Sequence, residues 1–291
     1  MHGADPFRPN RREMILGGAA FGAALSFGMM GFSLPAFAQR ERLWLSGSPV
    51  QGGLVLGRAG TGARAWLNES PLRVADGQFC FGFGRDETKP FTVRVMFEDG
   101  REETQTIIPR AREFPTERVN GLPEQYVSPP KEVQDRIARD AKVVTEARLI
   151  NTDETWFLDP FDWPIEGRIS GQFGAQRILN GEPREPHYGI DIAAPTGTPI
   201  KAPAEAIVRM AEDLYLSGNT LVLDHGHGVS TTYLHTSRMD VKPGDHVRRG
   251  TQIGLVGQTG RATGAHLCWR MNWLQTRLDA ALCAVPRSDK A

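Results

Sequence analysis

The sequence is poor in cysteine and carries no excess of charge. Beyond its first 38 residues it has no apolar run of membrane-spanning length. Each shortage excludes something. Three cysteines in 291 residues cannot build a disulfide scaffold, and the odd number leaves at least one thiol without a partner. Lys and Arg number 34, as do Asp and Glu, so the chain has no basic excess for neutralising the phosphates of a nucleic acid. A charged fraction of 23% beside 40% hydrophobic residues is a globular composition and argues against wholesale disorder. At about 150 residues per domain, the length suits two modest domains, each able to bury a core.

What is present begins with an address. Arg11-Arg12 precede a run rich in Gly, Ala, Phe and Met that closes on Ala36-Phe37-Ala38. Residues 1–38 therefore read as a bacterial export signal, with the paired arginines suggesting the twin-arginine route. No cysteine lies near the cleavage point, which excludes a lipoprotein anchor; an uncleaved span is the alternative, since the run is long enough. Removing the segment leaves a chain close to neutral, expected to be soluble in the periplasm without stable membrane insertion.

The remainder divides by texture into a mainly β protein. Residues 39–112 alternate short apolar segments with Asp-Gly turns at Asp76-Gly77 and Asp99-Gly100, the pattern of a small β-sandwich-like module with a packing or docking role. Residues 113–162 form a linker. Ser128-Pro129-Pro130 sets up a helix start with a capping hydroxyl. Val133, Ile137, Ala141 and Val144 then recur at helical spacing, giving a surface helix over about 131–148 packed by one stripe. Residues 163–280 are glycine-punctuated strands, read as an antiparallel β domain with almost no helix.

Six of the seven histidines lie between positions 187 and 266. His187 and Asp191 flank Gly189 where the chain enters a strand, and an imidazole and a carboxylate meeting there suit Zn²⁺. His266 and Cys268 are two apart, so in a strand both face one side while Leu267 packs behind. His235 closes the run Thr231-Thr232-Tyr233-Leu234 and can approach from a neighbouring strand. A hydrolytic zinc site wants three protein ligands, an open position and proton-handling groups. His225 and His227 sit among glycines and read as solvated turn residues without a metal. His246, among Lys242, Asp245 and Arg248, reads as part of an exposed loop. Glu182, Arg184 and Glu185 read as a solvated loop beside the cleft.

The stretch from about Gly167 to Trp273 resembles the lysostaphin/LytM-type zinc endopeptidases that cleave peptidoglycan. The likeness rests on His187-Tyr188-Gly189-Ile190-Asp191 and Pro195-Thr196-Gly197-Thr198-Pro199, then Asp224-His225-Gly226, Tyr233-Leu234-His235 and Gly244-Asp245-His246-Val247. It ends on Gly257-Gln258-Thr259-Gly260, Thr263-Gly264 and His266-Leu267. The resemblance implies a duplicated hybrid-motif β fold, zinc held by His187 and Asp191, and His235 and His266 as catalytic histidines. It implies peptidoglycan peptide stems as the substrate. Other cell-wall hydrolases are the partners of the alternative reading, a degenerate domain that binds wall or activates amidases.

One position departs from the family. Its terminal motif is His-x-His, the second histidine being the third zinc ligand, and this chain has Cys268 there. Three readings follow: Cys268 ligates zinc as a thiolate; the metal is lost and the fold serves in binding or regulation; or Cys268 is oxidised, for instance to Cys283. Thiolate ligation is preferred because His187, Asp191, His235 and His266 are all retained. It also leaves Cys80 and Cys283 as an even pair, either bridged or free.

Overall fold

The computed structural model describes residues 42–287, so the export signal expected over residues 1–38 lies outside the described residues. Among the described residues no helix is long and apolar enough to cross a membrane.

Strands β1 (Trp44–Gly47), β2 (Leu54–Arg58), β3 (Arg64–Leu67), β4 (Ser70–Pro71), β5 (Gln78–Gly82), β6 (Phe91–Met96) and β7 (Glu102–Ile107) make two antiparallel sheets. Their orders are β1-β2-β5 and β4-β3-β6-β7. Phe79 and Phe81 of β5 point between the sheets and meet Ala65, Leu67, Val93 and Val95. Cys80, between them in sequence, points the other way and joins Leu54 in the core of the C-terminal half. A strand buried on both faces reads as a continuous apolar run, as Phe79-Cys80-Phe81 does. The outer face of β2 and β5 thus packs onto the second half.

The connecting segment carries β8 (Thr116–Val119), α1 (Glu124–Val127) and α2 (Lys131–Leu149), and residues 156–158 form a short 3₁₀ turn. Pro130 is the N-cap residue of α2 and no side chain caps it, so Ser128 does not have the expected role; its hydroxyl accepts from Arg184 Nη2 at 3.4 Å. The apolar stripe is used only at the C-terminal end, where Val144 and Ala147 pack on Met210, Leu214 and Val222. Ala141 stays exposed. Arg148, one position past Ala147, is 4% exposed.

From Arg168 onward the chain is strand and turn, as its texture implies. The strands are β9 (Arg168–Gly171), β10 (Gln176–Leu179), β11 (Glu182–Arg184), β12 (Ile190–Ala193), β13 (Pro199–Lys201), β14 (Ala206–Leu214), β15 (Gly218–Asp224), β16 (Val229–Thr236), β17 (Arg238–Met239), β18 (His246–Val247), β19 (Gln252–Leu255), β20 (His266–Trp273) and β21 (Thr276–Leu278). Eight of them form one antiparallel sheet, ordered β18-β14-β15-β16-β20-β12-β9, with β21 on β20. A three-stranded sheet, β13-β19-β17, covers one face through Ile200 and Ile253.

Alternation divides the large sheet cleanly. Ile190, Ile192, Leu221, Leu223, Tyr233, Leu267, Trp269 and Met271 point into the core. Asp191, Cys268 and Arg270, offset by one residue, line a cleft on the opposite face. Glu182 and Arg184, expected in a loop, instead form β11, which pairs with β10 in a hairpin. β10 in turn pairs in parallel with β8.

Candidate functional site

The site forms where β12 and β20 lie side by side. Their register places Asp191 directly opposite Cys268 and Ala193 opposite His266. His187 precedes β12, and its backbone N–H donates to Ala175 while its carbonyl accepts from Gly174. With its entry fixed in this way, the ring of His187 is 1% exposed and its Nε2 lies 3.1 Å from Asp191 Oδ1 and 3.5 Å from Cys268 Sγ. One ligand-type atom from each of His187, Asp191 and Cys268 lies within 4.8 Å of the other two, forming a group able to hold a metal ion.

Two glycines keep this centre open. A Cβ at Gly189 would lie 2.9 Å from Cys268 Sγ and 2.8 Å from Arg270 Cγ, and one at Gly171 would lie 2.6 Å from Asp191 Oδ2. Glycine in the His-Tyr-Gly-Ile-Asp stretch is therefore set by the Cys268 thiol and the aliphatic stem of Arg270 passing over it.

His235 arrives from β16 by breaking that strand's alternation. Its φ of +65° lies in the left-handed region, where a non-glycine residue is uncommon, so Leu234 and His235 both line the cleft. The ring is held by Nδ1, 2.7 Å from the carbonyl of Thr259. His266 Nδ1 is likewise 2.8 Å from the carbonyl of Gly264, and the two rings stand 4.8 Å apart. A carbonyl only accepts, so each Nδ1 carries the proton and each Nε2 is left as the reactive nitrogen. His266 Nε2 stands 3.7 Å from Asp191 Oδ1.

Charge and burial oppose each other here. Burial disfavours the Asp191 carboxylate, yet His187, Arg177 and His266 hold it well below the usual carboxylate range. Burial pushes the Cys268 thiol up to about 12, reinforced by Asp191 and resisted by Arg270 and Arg177. His187 is lowered by burial, and His235 falls to about 3 through burial and the neighbouring His266. His235 is neutral at pH 7 and its Nε2 is an acceptor.

All five sequence-derived residues thus come together. Several other expectations need correction. His225 and His227 are buried, not solvated. His225 is a satisfied core residue, with Nδ1 2.8 Å from the Glu205 carbonyl and Nε2 2.7 Å from Thr231 Oγ1, and its ring stands edge-on to Phe161. His227 packs on Phe157. The turn folds under the linker, which their glycine neighbours do not reveal. His246 is exposed as expected, though in a short strand, stacked on Trp156 and 2.8 Å from Glu205 Oε1. The three cysteines are free thiols, so the oxidised reading of Cys268 with Cys283 is not the arrangement adopted.

Two arginines complete the site. Arg177 Nη2 sits 2.8 Å from Asp191 Oδ2, and Arg270 follows Cys268 on the same strand face. The i, i+2 alternation that joined His266 to Cys268 extends to Arg270. Arg177 leaves no such signal, because it lies on a different strand, β10, 14 residues before Asp191.

A mainly β chain with a buried His/Asp/Cys centre and two ring nitrogens facing it has the architecture of a β-sheet metallopeptidase. Residues 185–280, which include all five site residues, match the model of peptidase family M23. A crystal structure from Pseudomonas aeruginosa assigned to peptidase M23 is 27% identical, with a TM-score of 0.58, covering 81% of this chain and 94% of that one. Peptidoglycan DD-endopeptidase ShyA of Vibrio cholerae is 40% identical over 112 residues, 38% of this chain and 26% of that protein. DD-carboxypeptidase/endopeptidase Mpg of Neisseria meningitidis is 41% identical over 122 residues, 42% of this chain and 27% of that protein. The chain thus spans about a quarter of the length of these curated relatives.

Proposed function

We propose that the protein is a zinc metalloendopeptidase that hydrolyses amide bonds in the peptide cross-links of peptidoglycan. The observation that carries this reading is the convergence of His187, Asp191 and Cys268 beneath the paired rings of His235 and His266. The relatives named for peptidoglycan endopeptidase activity support the substrate class.

The residues fit zinc. Donors held about 2.0–2.3 Å from a tetrahedral ion lie ~3.3–3.7 Å apart, close to the 3.1 and 3.5 Å separating His187 Nε2 from Asp191 and Cys268. Asp191 Oδ1 is buried without a hydrogen-bond donor, the condition that a cation relieves. His187, Asp191 and Cys268 would hold the ion, and when bound it supplies Lewis acidity toward the scissile carbonyl and acidifies water.

The chain's own groups do the rest. Arg177 fixes the outer oxygen of Asp191, leaving Oδ1 for the metal. His235, neutral and anchored by Thr259, accepts a hydrogen bond from the attacking water at Nε2 and orients it. His266, anchored by Gly264, receives the proton at Nε2 and returns it to the departing amine. The cleft in which the peptide lies has a volume of about 800 Å³. Residues 1–38 support export to the periplasm, where this substrate resides.

Purified sacculi incubated with the protein are expected to release soluble muropeptides. Release should stop with a chelator and fall by about 10²–10⁴-fold in His266→Ala. No release by the zinc-loaded protein, with stimulation of a wall amidase instead, would replace this reading with the regulatory one.

A further inference from the structure

Beyond the metal centre, the cleft wall carries an unusual amount of positive charge. Arg148 comes from the last turn of α2, Arg270 from β20, Arg277 from β21, and Arg261 from the loop before β20; all four line the cleft. Among the described residues, none of the four has a carboxylate within 4 Å, whereas Arg177 in the same cleft is paired with Asp191 and Glu117. Arg148 donates Nε to the Val144 carbonyl, but its Nη1 is buried without a partner, in a side chain belonging to a residue only 4% exposed. Arg270 Nε is also buried and unpartnered. Arg277 has only neutral partners, Nη1 to Asn272 Oδ1 at 3.3 Å and the Tyr188 ring 5.7 Å from its Cζ, and Arg261 makes one hydrogen bond, to the Tyr126 carbonyl.

Gathering guanidinium groups out of water without counter-charges is unfavourable. Burial, then repulsion by Arg270, depresses Arg148 to about 10; burial with Arg177 and Arg270 depresses Arg261 to about 10; burial with Arg148 and Arg270 depresses Arg277 to about 9. A planar, bidentate oxyanion relieves both the repulsion and the unmet donors, because the guanidinium fork matches carboxylate geometry.

We propose that Arg148, Arg261, Arg270 and Arg277 form a carboxylate-binding subsite that grips a free carboxylate of the peptide lying over His235 and His266. This rests on reading the cleft as a peptide-hydrolysing site. The position suits the role. Arg270 is two residues from Cys268 on one strand face, about 7 Å along the strand, so a carboxylate held there belongs to the residue at or next to the scissile amide. Peptidoglycan stems carry such free carboxylates, on their diamino acid and at their termini. The linker helix therefore serves the site directly, supplying Arg148 from outside the M23 segment.

The test is calorimetric titration of the full chain with three probes: a stem tetrapeptide with free carboxylates, the same peptide fully amidated, and inorganic phosphate. The wild-type protein is expected to bind the acid form about tenfold or more tightly than the amide form. In Arg148→Gln/Arg277→Gln that preference should collapse, while zinc content and circular dichroism stay unchanged. Arg277→Lys, which keeps the charge and removes the fork, is expected to lose part of the preference and serves if the double variant does not fold. Equal affinity for acid and amide peptides would overturn the proposal, as would phosphate displacing the acid peptide at equal concentration. Hydrolysis is read separately. Sacculus digestion without a carboxylate preference would sink the subsite alone, and the preference without digestion would sink the hydrolase reading alone.

Discussion

The two oxygens of Asp191 have separate tasks: Oδ1 faces His187 Nε2 at 3.1 Å, and Oδ2 accepts from Arg177 Nη2 at 2.8 Å. The arginine, borne on β10, fixes the orientation of a carboxylate borne on β12. Removing such an outer partner typically weakens metal affinity about 10–100-fold. Arg177→Gln is expected to fall in that range when zinc affinity is measured by competition with a chromophoric chelator. Unchanged affinity would mean that the ion pair only braces the cleft wall.

Gly189 has a spatial reason to lack a side chain. An added methyl would press on Cys268 Sγ, Arg270 Cγ and, at 3.1 Å, the carbonyl of Trp269, which the sheet holds in place. Gly189→Ala is expected to destabilise by roughly 1–3 kcal/mol and to lower zinc occupancy. A Cβ at Gly84 meets nothing within 4 Å, so Gly84→Ala should stay within about 0.5 kcal/mol. Urea unfolding measures both, and equal midpoints would contradict the steric explanation.

Acid should weaken the fold through histidines outside the His187/Asp191/Cys268 cluster. Burial lowers His225 and His227 from 6.5 to about 4. Between those values the unfolded chain binds more protons than the folded one, so stability is lost as pH falls through that window. The slope is up to about 1.4 kcal/mol per pH unit for each ring. Ring-resonance NMR of His225 is expected to show a neutral imidazole at about pH 5.5. A titration midpoint near 6.5 would remove this contribution.

Much of this was legible in the chain. The His187–Asp191 and His266–Cys268 pairs follow from strand alternation, and β12 and β20 realise it by pairing Asp191 with Cys268. The apolar run Phe79-Cys80-Phe81 signalled a strand, though not that its two faces would serve different cores. Local glycines suggest exposure for His225, whereas Phe161 and the linker packed over the turn decide its burial. The arginine wall is only partly local: Arg261, Arg270 and Arg277 are close in sequence, but Arg148 comes from α2 and reaches the cleft only through tertiary packing.

The central claim, that His187, Asp191 and Cys268 together hold zinc, is tested most directly by metal analysis of the purified wild-type protein beside Cys268→Ala and Cys268→His. One equivalent of zinc in the wild type and in Cys268→His, with a large loss in Cys268→Ala, is the expected result. Zinc retained equally well by Cys268→Ala would contradict thiolate ligation.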